Sequence, residues 1–481
     1  MKEKTARTPS LTVSLIILLL VIAVVIVGSW LGIGMEMALF LGALVAIISC
    51  LCLKMPWADV EASLFKSLSD MLVPILILID VGIMVGAWII GGTVPSLMYY
   101  GLKLVSPAAV LPLAFVLCAL MSIFTGTSFG SIATMGLALT GVAAGAGVPI
   151  PMVVGAVVAG AHVGDKMSPM SDSTNLASAV TGAKLYDHIG SMMYTTIPAA
   201  LISLAIYIIL GMRYASGGAS MDDIELMLQT LDGNFHISLI ALIPAILMLV
   251  VSVLKIPAIL GLSCCAVFSL VFASVLQGVS LVDVMSAGLN GYVSDTGVAM
   301  VDTILSRGGL LSMMGTVALV LLAGLMGGAL QASGVLTVIV QKGLMRMVRS
   351  ARSLVISTML YCYTILFVSG NQMLGAIITG PTFEEAYDEM DVDRKVLSRA
   401  IGDTTIVGSG LVPWGVTAVY TMGVLGCDAS FIPYEFFCYI VPIFTVICAL
   451  TGFATWHKDG TPYWKKGAQA GKGTNGQKGN G

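Results

Sequence analysis

Residues 11–31, with the sequence LTVSLIILLLVIAVVIVGSWL, form an apolar stretch without a single charged residue. A helix needs about 20 apolar residues to cross the hydrocarbon core of a bilayer, so this stretch predicts a membrane-spanning helix. The residues before it include Lys2, Lys4 and Arg7. Basic flanks are typical of the cytoplasmic side, and the stretch is too long for the core of a signal peptide. We therefore expect a retained first helix with a cytoplasmic N-terminus.

The composition extends this prediction to the whole chain. Of 481 residues, 57% are hydrophobic and 10% are charged, whereas about 25% are charged in ordinary soluble domains. A soluble enzyme, a disordered protein and a nucleic-acid-binding protein are therefore excluded. An outer-membrane barrel is excluded because its strands alternate in polarity, while the apolar runs here are long and continuous. The net charge of −3 is too small to indicate a charged partner.

Further apolar runs follow the first one. They cover residues 34–53, 71–93, 107–124, 131–147, 150–163, 189–211, 237–254, 256–277, 310–331, 353–370, 405–425 and 435–455. Several are short or rich in Gly and Pro, which favours broken helices and re-entrant hairpins over simple spans. The sequence thus predicts an all-α polytopic protein of the cell (cytoplasmic) membrane, with roughly 10–13 membrane elements.

The two halves of the chain repeat an ordered series of residues. At an offset of 242 positions, the matches are Gly82, Met84, Gly86, Ala87 and Gly92 with Gly324, Met326, Gly328, Ala329 and Gly334. The loop at 94–106 holds one cation, but its counterpart at 341–352 holds four. By the positive-inside rule, equivalent loops then face opposite sides. This predicts two inverted structural repeats, an architecture of alternating-access transporters.

The predicted organisation has five segments. They are a cytoplasmic N-terminus (1–10), a first transmembrane repeat (11–212), an external acidic linker (213–235), a second transmembrane repeat (236–455) and a disordered cytoplasmic tail (456–481). The nine Cys and four His are scattered without the spacing of zinc or haem sites. We interpret the Cys as small buried apolar residues and expect no cofactor.

The strongest polar interruption is 164–175, GDKMSPMSDSTN, which lies between two apolar segments. Its charges cannot face lipid, because a carboxylate at the bilayer centre costs at least about 2.5 kcal/mol. Pro169 removes a helix donor and favours an extended residue before it, so the helix should open here. Freed oxygens could then bind a hard cation such as Na⁺, with negative charge from Asp165 and Asp172 and with Lys166 holding one of them in the empty state. The alternative is a polar loop outside the membrane.

The matching stretch in the second half is 402–414, GDTTIVGSGLVPW, which again combines Asp, hydroxyl groups, Gly and Pro. A site formed where two such breaks meet has near two-fold symmetry. Trp414 is a candidate to exclude water or to stack on a substrate. Alternatively, it is a tryptophan of the interfacial belt.

Three further features each have a functional and a structural interpretation. The interruptions 125–128 (TGTS) and 369–372 (SGNQ) are either hairpin tips that meet a substrate or helix caps at the membrane surface. Asp80, inside an apolar run, is either an ion- or proton-related residue or a hydrogen-bond acceptor from a neighbouring helix. Residues 126–130 match GxSxG, but a serine nucleophile elbow needs a strand before it, so we expect no enzyme.

The stretch GDKMSPMSDSTN resembles the signature of the NhaC-type Na⁺/H⁺ antiporter family, within the ion transporter superfamily. Arg307-Gly308-Gly309 and the region 397–414 resemble the same family, and the resemblance covers about residues 10–455. Gly402, Gly410 and Gly415 depart from the family pattern, which has an acidic residue, a Pro and a polar residue there. Gly410 and Gly415 leave space that a larger organic substrate could use.

The resemblance implies exchange of Na⁺ for H⁺ at buried carboxylates by alternating access. The alternative is a Na⁺-coupled exchanger of organic acids, of the malate/lactate type, or an amino-acid transporter of the same family. The expected partners are Na⁺, H⁺, the lipid bilayer and, in the alternative, a small organic anion or amino acid, with no nucleic acid. The oligomeric state, a homodimer included, stays open.

The candidate binding residues combine the two breaks. They are Asp165, Asp172, Asp403, Ser168, Ser171, Thr174, Asn175, Thr404 and Ser409, with Na⁺ held at the three aspartates. Secondary candidates are Asp80, Lys166, Thr127, Ser128, Asn371 and Trp414.

Overall fold

The computed structural model describes residues 9–104, 106–215, 221–254, 256–339, 343 and 348–463. Within these residues the chain is helical, with a single isolated antiparallel bridge between Trp456 and Pro462. Helices satisfy their own backbone hydrogen bonds, which is what long apolar segments need in lipid.

The helices have the following bounds. The first half contains α1 (Leu11–Trp30), α2 (Met35–Cys52), α3 (Trp57–Asp70), α4 (Leu72–Ile90), α5 (Thr93–Leu104), α6 (Val110–Thr125), α7 (Ser128–Ser131), α8 (Leu137–Gly145), α9 (Ile150–Met167), α10 (Asp172–Thr181) and α11 (Leu185–Ala215). The rest contains α12 (Met221–Asn234), α13 (Ile243–Val253), α14 (Ala258–Gln277), α15 (Leu281–Asn290), α16 (Ala299–Leu305), α17 (Met314–Ala332), α18 (Val335–Val338), α19 (Ala351–Ser369), α20 (Gln372–Glu389), α21 (Arg394–Ile401), α22 (Val416–Leu425) and α23 (Phe436–Thr451). Short 3₁₀ turns lie at Pro107–Ala109, Ile240–Leu242, Leu311–Met313 and Ala429–Tyr434, and π-helical turns at Ile132–Gly136 and Gly402–Ile406.

Nine helical segments of the described residues are long and apolar enough to cross a membrane. Three shorter apolar helices accompany them, at Ile240–Val251, Val416–Leu425 and Phe436–Thr451. Large apolar side chains such as Leu19 and Leu201 are 63% and 62% exposed, which fits a surface that faces lipid. The predicted all-α polytopic membrane fold is confirmed.

The order of the elements repeats between the halves. α4 begins at Leu72 and α17 begins at Met314, 242 positions later. Glycines with positive φ occupy equivalent turns in the pairs Gly92 and Gly334, Gly126 and Gly370, and Gly182 and Gly426. The element order therefore agrees with a duplication, whereas the opposite orientation of the two copies in the membrane stays a prediction.

Small residues bring α9 close to α6. A Cβ on Gly160 would lie 2.2 Å from the Phe115 carbonyl oxygen, and one on Gly164 would lie 2.3 Å from the Ile123 amide nitrogen. Because no side chain fits at these distances, the close approach of the two helices requires glycine at both positions. α9 is buried along most of its length, so the polar residues of its last turn lie inside the protein.

Three predicted segments have a different local structure. Residues 94–106, predicted as a loop, are mostly helical in α5, and the linker 213–235 contains α12. The tail was predicted as disordered from residue 456, but residues 456–463 fold back onto the chain. Asp393 N donates to the Trp456 carbonyl at 2.9 Å, and the His457 and Tyr463 rings stack at 3.8 Å. Residues 464–481 lie outside the described part of the chain, as do 1–8.

Candidate functional site

The break between α9 and α10 is an extended segment stabilised by side chains. Ser168 has a ψ of 126°, and its hydroxyl donates to the Ile123 carbonyl at 2.8 Å. Asn175, which is exposed, donates through Nδ2 to the carbonyls of Pro169 (3.0 Å) and Ser171 (2.8 Å). The helix thus opens where Pro169 predicts, and two of the predicted ligands, Ser168 and Asn175, hold the opened backbone.

Asp165, in the last turn of α9, is 4% exposed. Its Oδ1 accepts hydrogen bonds from the hydroxyls of Ser171 (2.5 Å) and Ser173 (3.0 Å), and its Oδ2 accepts one from Ser128 (2.9 Å). The Thr174 hydroxyl donates to the Asp165 backbone carbonyl at 2.8 Å. Three elements of the first half therefore converge on one carboxylate, and the side chains that bind it all do so through oxygen.

Lys166, the next residue, forms an ion pair with Asp403, and both side chains are fully buried. Lys166 Nζ also donates to the Thr195 hydroxyl at 3.3 Å, and the Thr445 hydroxyl donates to the Asp403 carboxylate. Asp403 lies in the π-helical turn after α21. We expected Lys166 to neutralise Asp165 or Asp172, but its partner is Asp403. Adjacent helical residues point in different directions, so α9 directs Asp165 and Lys166 toward different elements.

Asp172 does not lie with the two buried carboxylates. Its side chain is exposed, while its neighbours Ser171 and Ser173 turn toward Asp165. Asp172 and Thr127 line a cavity of about 290 Å³ beside the break. The three aspartates thus occupy two buried positions and one cavity wall, rather than a single buried site.

Thr404 and Ser409 lie in the second polar stretch and bond mainly within it. The Thr404 hydroxyl donates to the Ala400 carbonyl at 2.6 Å, and the Ser409 hydroxyl donates to the Ile406 carbonyl at 2.8 Å. Ser409 Oγ also lies 3.2 Å from His162 Nε2 of α9. The two polar stretches therefore meet through Ser409 as well as through the Lys166 ion pair.

Trp414 is buried, with 5% of the residue exposed. Its Nε1 donates to the Phe367 carbonyl at 2.7 Å. A Cβ on Gly370 would lie 2.8 Å from the Trp414 carbonyl oxygen. Trp414 thus packs against the second hairpin tip and is not a tryptophan of an exposed interfacial belt.

Thr127 and Asn371 are helix N-caps, and Thr127 also lines the cavity beside the break. The Thr127 hydroxyl accepts from the Gly130 amide at 3.5 Å, and the Asn371 side chain accepts from the Met373 amide at 2.9 Å. Asp80, half-buried in α4, accepts a hydrogen bond from Ser263 of α14 at 2.8 Å. This is the hydrogen bond to a neighbouring helix that was its structural alternative.

Sequence reasoning missed several polar residues around the buried carboxylates. Ser173 lies inside the stretch GDKMSPMSDSTN but is not among the candidate ligands, and its hydroxyl donates to Asp165. Thr195 and Thr445 lie within the apolar helices α11 and α23, where a threonine gives no functional signal because its hydroxyl can bond its own helix. Glu435, fully buried at the start of α23, was also missed.

The comparisons with known proteins identify the family. The model of the "Na+/H+ antiporter family" matches residues 3–174 and 160–453. The chain belongs to the Na⁺/H⁺ antiporter family.

Three of the matching relatives are bacterial antiporters of similar length. A "Malate-2H(+)/Na(+)-lactate antiporter" of Bacillus subtilis is 32% identical, over 94% of this chain and 97% of the relative. An "Uncharacterized Na(+)/H(+) antiporter" of Haemophilus influenzae is 37% identical, over 82% and 86%. The "Na(+)/H(+) antiporter NhaC" of Alkalihalophilus pseudofirmus is 33% identical, over 85% and 88%. The resemblance to the NhaC type is confirmed, and the chain is a multi-pass protein of the cell membrane.

In an antiporter, the serine of the GxSxG match has a role other than that of a nucleophile. Ser128 follows a hairpin tip between helices rather than a strand, and its hydroxyl donates to Asp165 instead of a histidine. A transporter is therefore the supported class.

Proposed function

We propose that this protein exchanges Na⁺ for H⁺ and that Asp165 is the residue at which the two ions compete. The observation that carries the proposal is the set of three serine hydroxyls on the Asp165 carboxylate. Hydroxyl and carboxylate oxygens suit a hard cation. A rotation about each Cβ–Oγ bond turns the hydroxyl hydrogen away from the carboxylate, so that a lone pair of the serine oxygen faces a bound Na⁺.

Competition at one carboxylate is enough to couple the two fluxes. A proton occupies the oxygen lone pairs that Na⁺ needs, so Asp165 holds one ion or the other. If the site moves from one side of the membrane to the other only when an ion occupies it, movement of Na⁺ in one direction requires movement of H⁺ in the other. We propose that the break between α9 and α10 takes part in this step, because it carries Ser171, which binds Asp165, and separates two helices.

The ion pair between Lys166 and Asp403 supplies the link to the second half of the chain. A lysine ammonium buried without a carboxylate is costly, so Lys166 keeps α9 attached to the π-helical turn of Asp403. We propose that Thr195 and Thr445 stabilise this pair and that Asp172 attracts cations into the cavity. Asp172 is the only charged side chain among the described residues that line it.

Reconstituted vesicles with an internal pH dye test the assignment of Asp165. A Na⁺ pulse should drive proton movement with the wild type, and Asp165→Asn should abolish it. Asp80→Asn is the matched control, because Asp80 also lies in a membrane helix and accepts a serine hydroxyl. Exchange by Asp165→Asn at the wild-type rate would falsify the proposal.

The second candidate is a Na⁺-coupled exchange of a small organic acid or amino acid. It is supported by the cavity of about 290 Å³ beside the first tip and by the malate/lactate relative. Uptake of radiolabelled malate, lactate and amino acids along a Na⁺ gradient distinguishes the two. Uptake that exceeds that of empty vesicles and is lost in Asp172→Asn would favour this candidate.

The topology that accompanies this function is also a proposal. We propose that the cationic N-terminus and the loop at 341–352 lie on the cytoplasmic side, that the acidic linker lies outside, and that the two repeats are inverted. No enzyme activity and no cofactor are needed for the exchange, because Na⁺ and H⁺ are its only cargo.

A further inference from the structure

A second buried polar cluster consists of His162 on α9 and of Glu435 and Cys438 at the start of α23. All three side chains are buried, at 0% exposure. The ligand atoms of the three residues lie within 4.8 Å of one another. Cys438 Sγ is 3.9 Å from His162 Nδ1. Glu435 and Cys438 are three positions apart, so they share one face at the start of the helix.

The carboxyl group of Glu435 is the member of this cluster that lacks a nitrogen or oxygen donor or a counter-ion in the described part of the chain. No nitrogen or oxygen of the described residues donates a hydrogen bond to either carboxyl oxygen, and the polar groups beside them in the cluster are the His162 ring and the Cys438 thiol. A Cβ on Gly410 would lie 2.4 Å from Glu435 Oε2, so the missing side chain of Gly410 makes the space that the carboxyl group occupies. A buried carboxylate without a partner costs several kcal/mol, so this one calls for a cation or a proton.

We propose that His162, Glu435 and Cys438 form a binding site for a divalent transition metal of the Zn²⁺ type. Imidazole and thiolate are ligands that Zn²⁺ and Co²⁺ accept, whereas Na⁺ prefers oxygen alone. The site is therefore distinct from the one around Asp165. A thiolate and a carboxylate together balance the two positive charges of the metal, which leaves a neutral complex in the buried interior.

Metal binding at this cluster has a defined proton balance and a defined structural cost. The Cys438 thiol proton leaves when the thiolate binds, together with the Glu435 proton if the empty site holds one. His162 Nδ1 lies 2.8 Å from the Val158 carbonyl and Nε2 lies 3.2 Å from Ser409. The ring nitrogen that binds the metal gives up one of these two contacts.

A metal at this position joins α9 to α23. His162 is one helical turn before Asp165, so the metal holds the helix that carries the Na⁺ candidate against the second half of the chain. The proposal includes that exchange moves α9 relative to α23, so a metal that joins the two helices inhibits transport. The site is thus regulatory, and its metal is not the cargo.

Binding is tested on the purified full-length protein, stripped with a chelator and titrated with Co²⁺ as the probe. One equivalent should produce a thiolate-to-cobalt charge-transfer band together with release of protons, and Zn²⁺ should remove the band. Cys438→Ser should abolish the band, and Glu435→Gln should weaken Co²⁺ binding at least about 10-fold. Cys448→Ser is the matched control, since Cys448 is a buried cysteine of the same helix outside the cluster.

The wild-type titration keeps the proposal open to refutation even if a variant fails to fold. Absence of the band in the wild type, or its persistence in Cys438→Ser, would show that the cluster does not bind the metal. Zn²⁺ should inhibit exchange by the wild type and by Cys448→Ser but not by Cys438→Ser. The Co²⁺ titration measures binding without transport. A negative titration therefore contradicts only the metal site and not exchange at Asp165, and a failure of exchange contradicts only the proposed function and not the metal site.

Discussion

Lys166 and Asp403 are 237 positions apart in the chain, yet they form an ion pair whose two side chains have no exposed surface. Removing one partner leaves the other charge buried and uncompensated, which typically costs about 3–5 kcal/mol, whereas replacing both by apolar residues is often neutral. The pair therefore couples the stability of the protein to the integrity of its candidate site.

We expect Lys166→Met and Asp403→Leu each to lower the free energy of unfolding in detergent by about 3–5 kcal/mol. The double variant Lys166→Met/Asp403→Leu should recover most of this loss but not the exchange activity. Lys458→Met, which removes a partly exposed partner of Asp388, should change stability by less than about 1 kcal/mol. Equal losses in the single and double variants would contradict the assignment of the pair as the source of the effect.

The three hydroxyls on Asp165 predict a change in Na⁺ affinity. Ser128→Ala, Ser171→Ala and Ser173→Ala each remove one oxygen worth about 1 kcal/mol, so the half-saturating Na⁺ concentration should rise about fivefold. Ser178→Ala is the control because its hydroxyl, buried on the same helix α10, donates to the Asn175 carbonyl instead. An unchanged Na⁺ dependence in all three variants, with intact folding, would argue against a Na⁺ site at Asp165.

Asp388 at the end of α20, outside the candidate spans, predicts a pH-dependent stability. Hydrogen bonds and ion pairs from Arg394 and Lys458 lower the pKa of Asp388 to about 2 from its ordinary value of 3.8. Its folded pKa is depressed, so its stabilising contribution is fully present above pH 3.8 and is lost as the pH falls toward 2. Asp388→Asn should therefore unfold at a lower temperature than the wild type at pH 7, and this difference should shrink below pH 3.8.

The neighbouring exposed carboxylate Glu389 provides the comparison for Asp388. Glu389→Gln should leave the unfolding temperature nearly unchanged, because surface substitutions usually alter stability by less than about 0.5 kcal/mol. If Glu389→Gln matched Asp388→Asn, overall charge rather than the contacts of Asp388 would explain the effect.

Gly126 at the first hairpin tip predicts a cost beyond backbone strain. Its φ is 72°, and a Cβ there would lie 2.7 Å from the Met170 backbone in the break. Gly126→Ala should therefore destabilise the protein by more than the roughly 1 kcal/mol of a left-handed alanine and should slow exchange. Gly278 has a φ of 67°, but a Cβ there would have no atom within 4 Å. Gly278→Ala therefore measures the backbone strain alone, and the difference in unfolding temperature between the two variants measures the clash at Gly126. Equal unfolding temperatures would show that the tip does not pack tightly on the break.

The sequence alone determined the fold class and the position of the first helix break. Apolar runs of spanning length leave helices as the only backbone that satisfies its hydrogen bonds in lipid. Pro169 opens α9 through a local effect, the loss of a donor, so its position could be read from the chain. The motif 164–175 likewise pointed to the antiporter family.

The tertiary structure decided which charges meet. Lys166 pairs with Asp403 rather than with Asp165 or Asp172, and Asp172 faces a cavity, because the direction of each side chain depends on helix packing. Thr445 and Glu435 lie in the polar interior without a sequence signal, since single polar residues also occur in purely structural apolar helices. Only the packing of α23 brings them beside other polar side chains, Thr445 beside Asp403 and Glu435 beside His162. Local patterns therefore fix where a membrane helix runs and breaks, whereas the partners of a buried charge depend on residues distant in sequence.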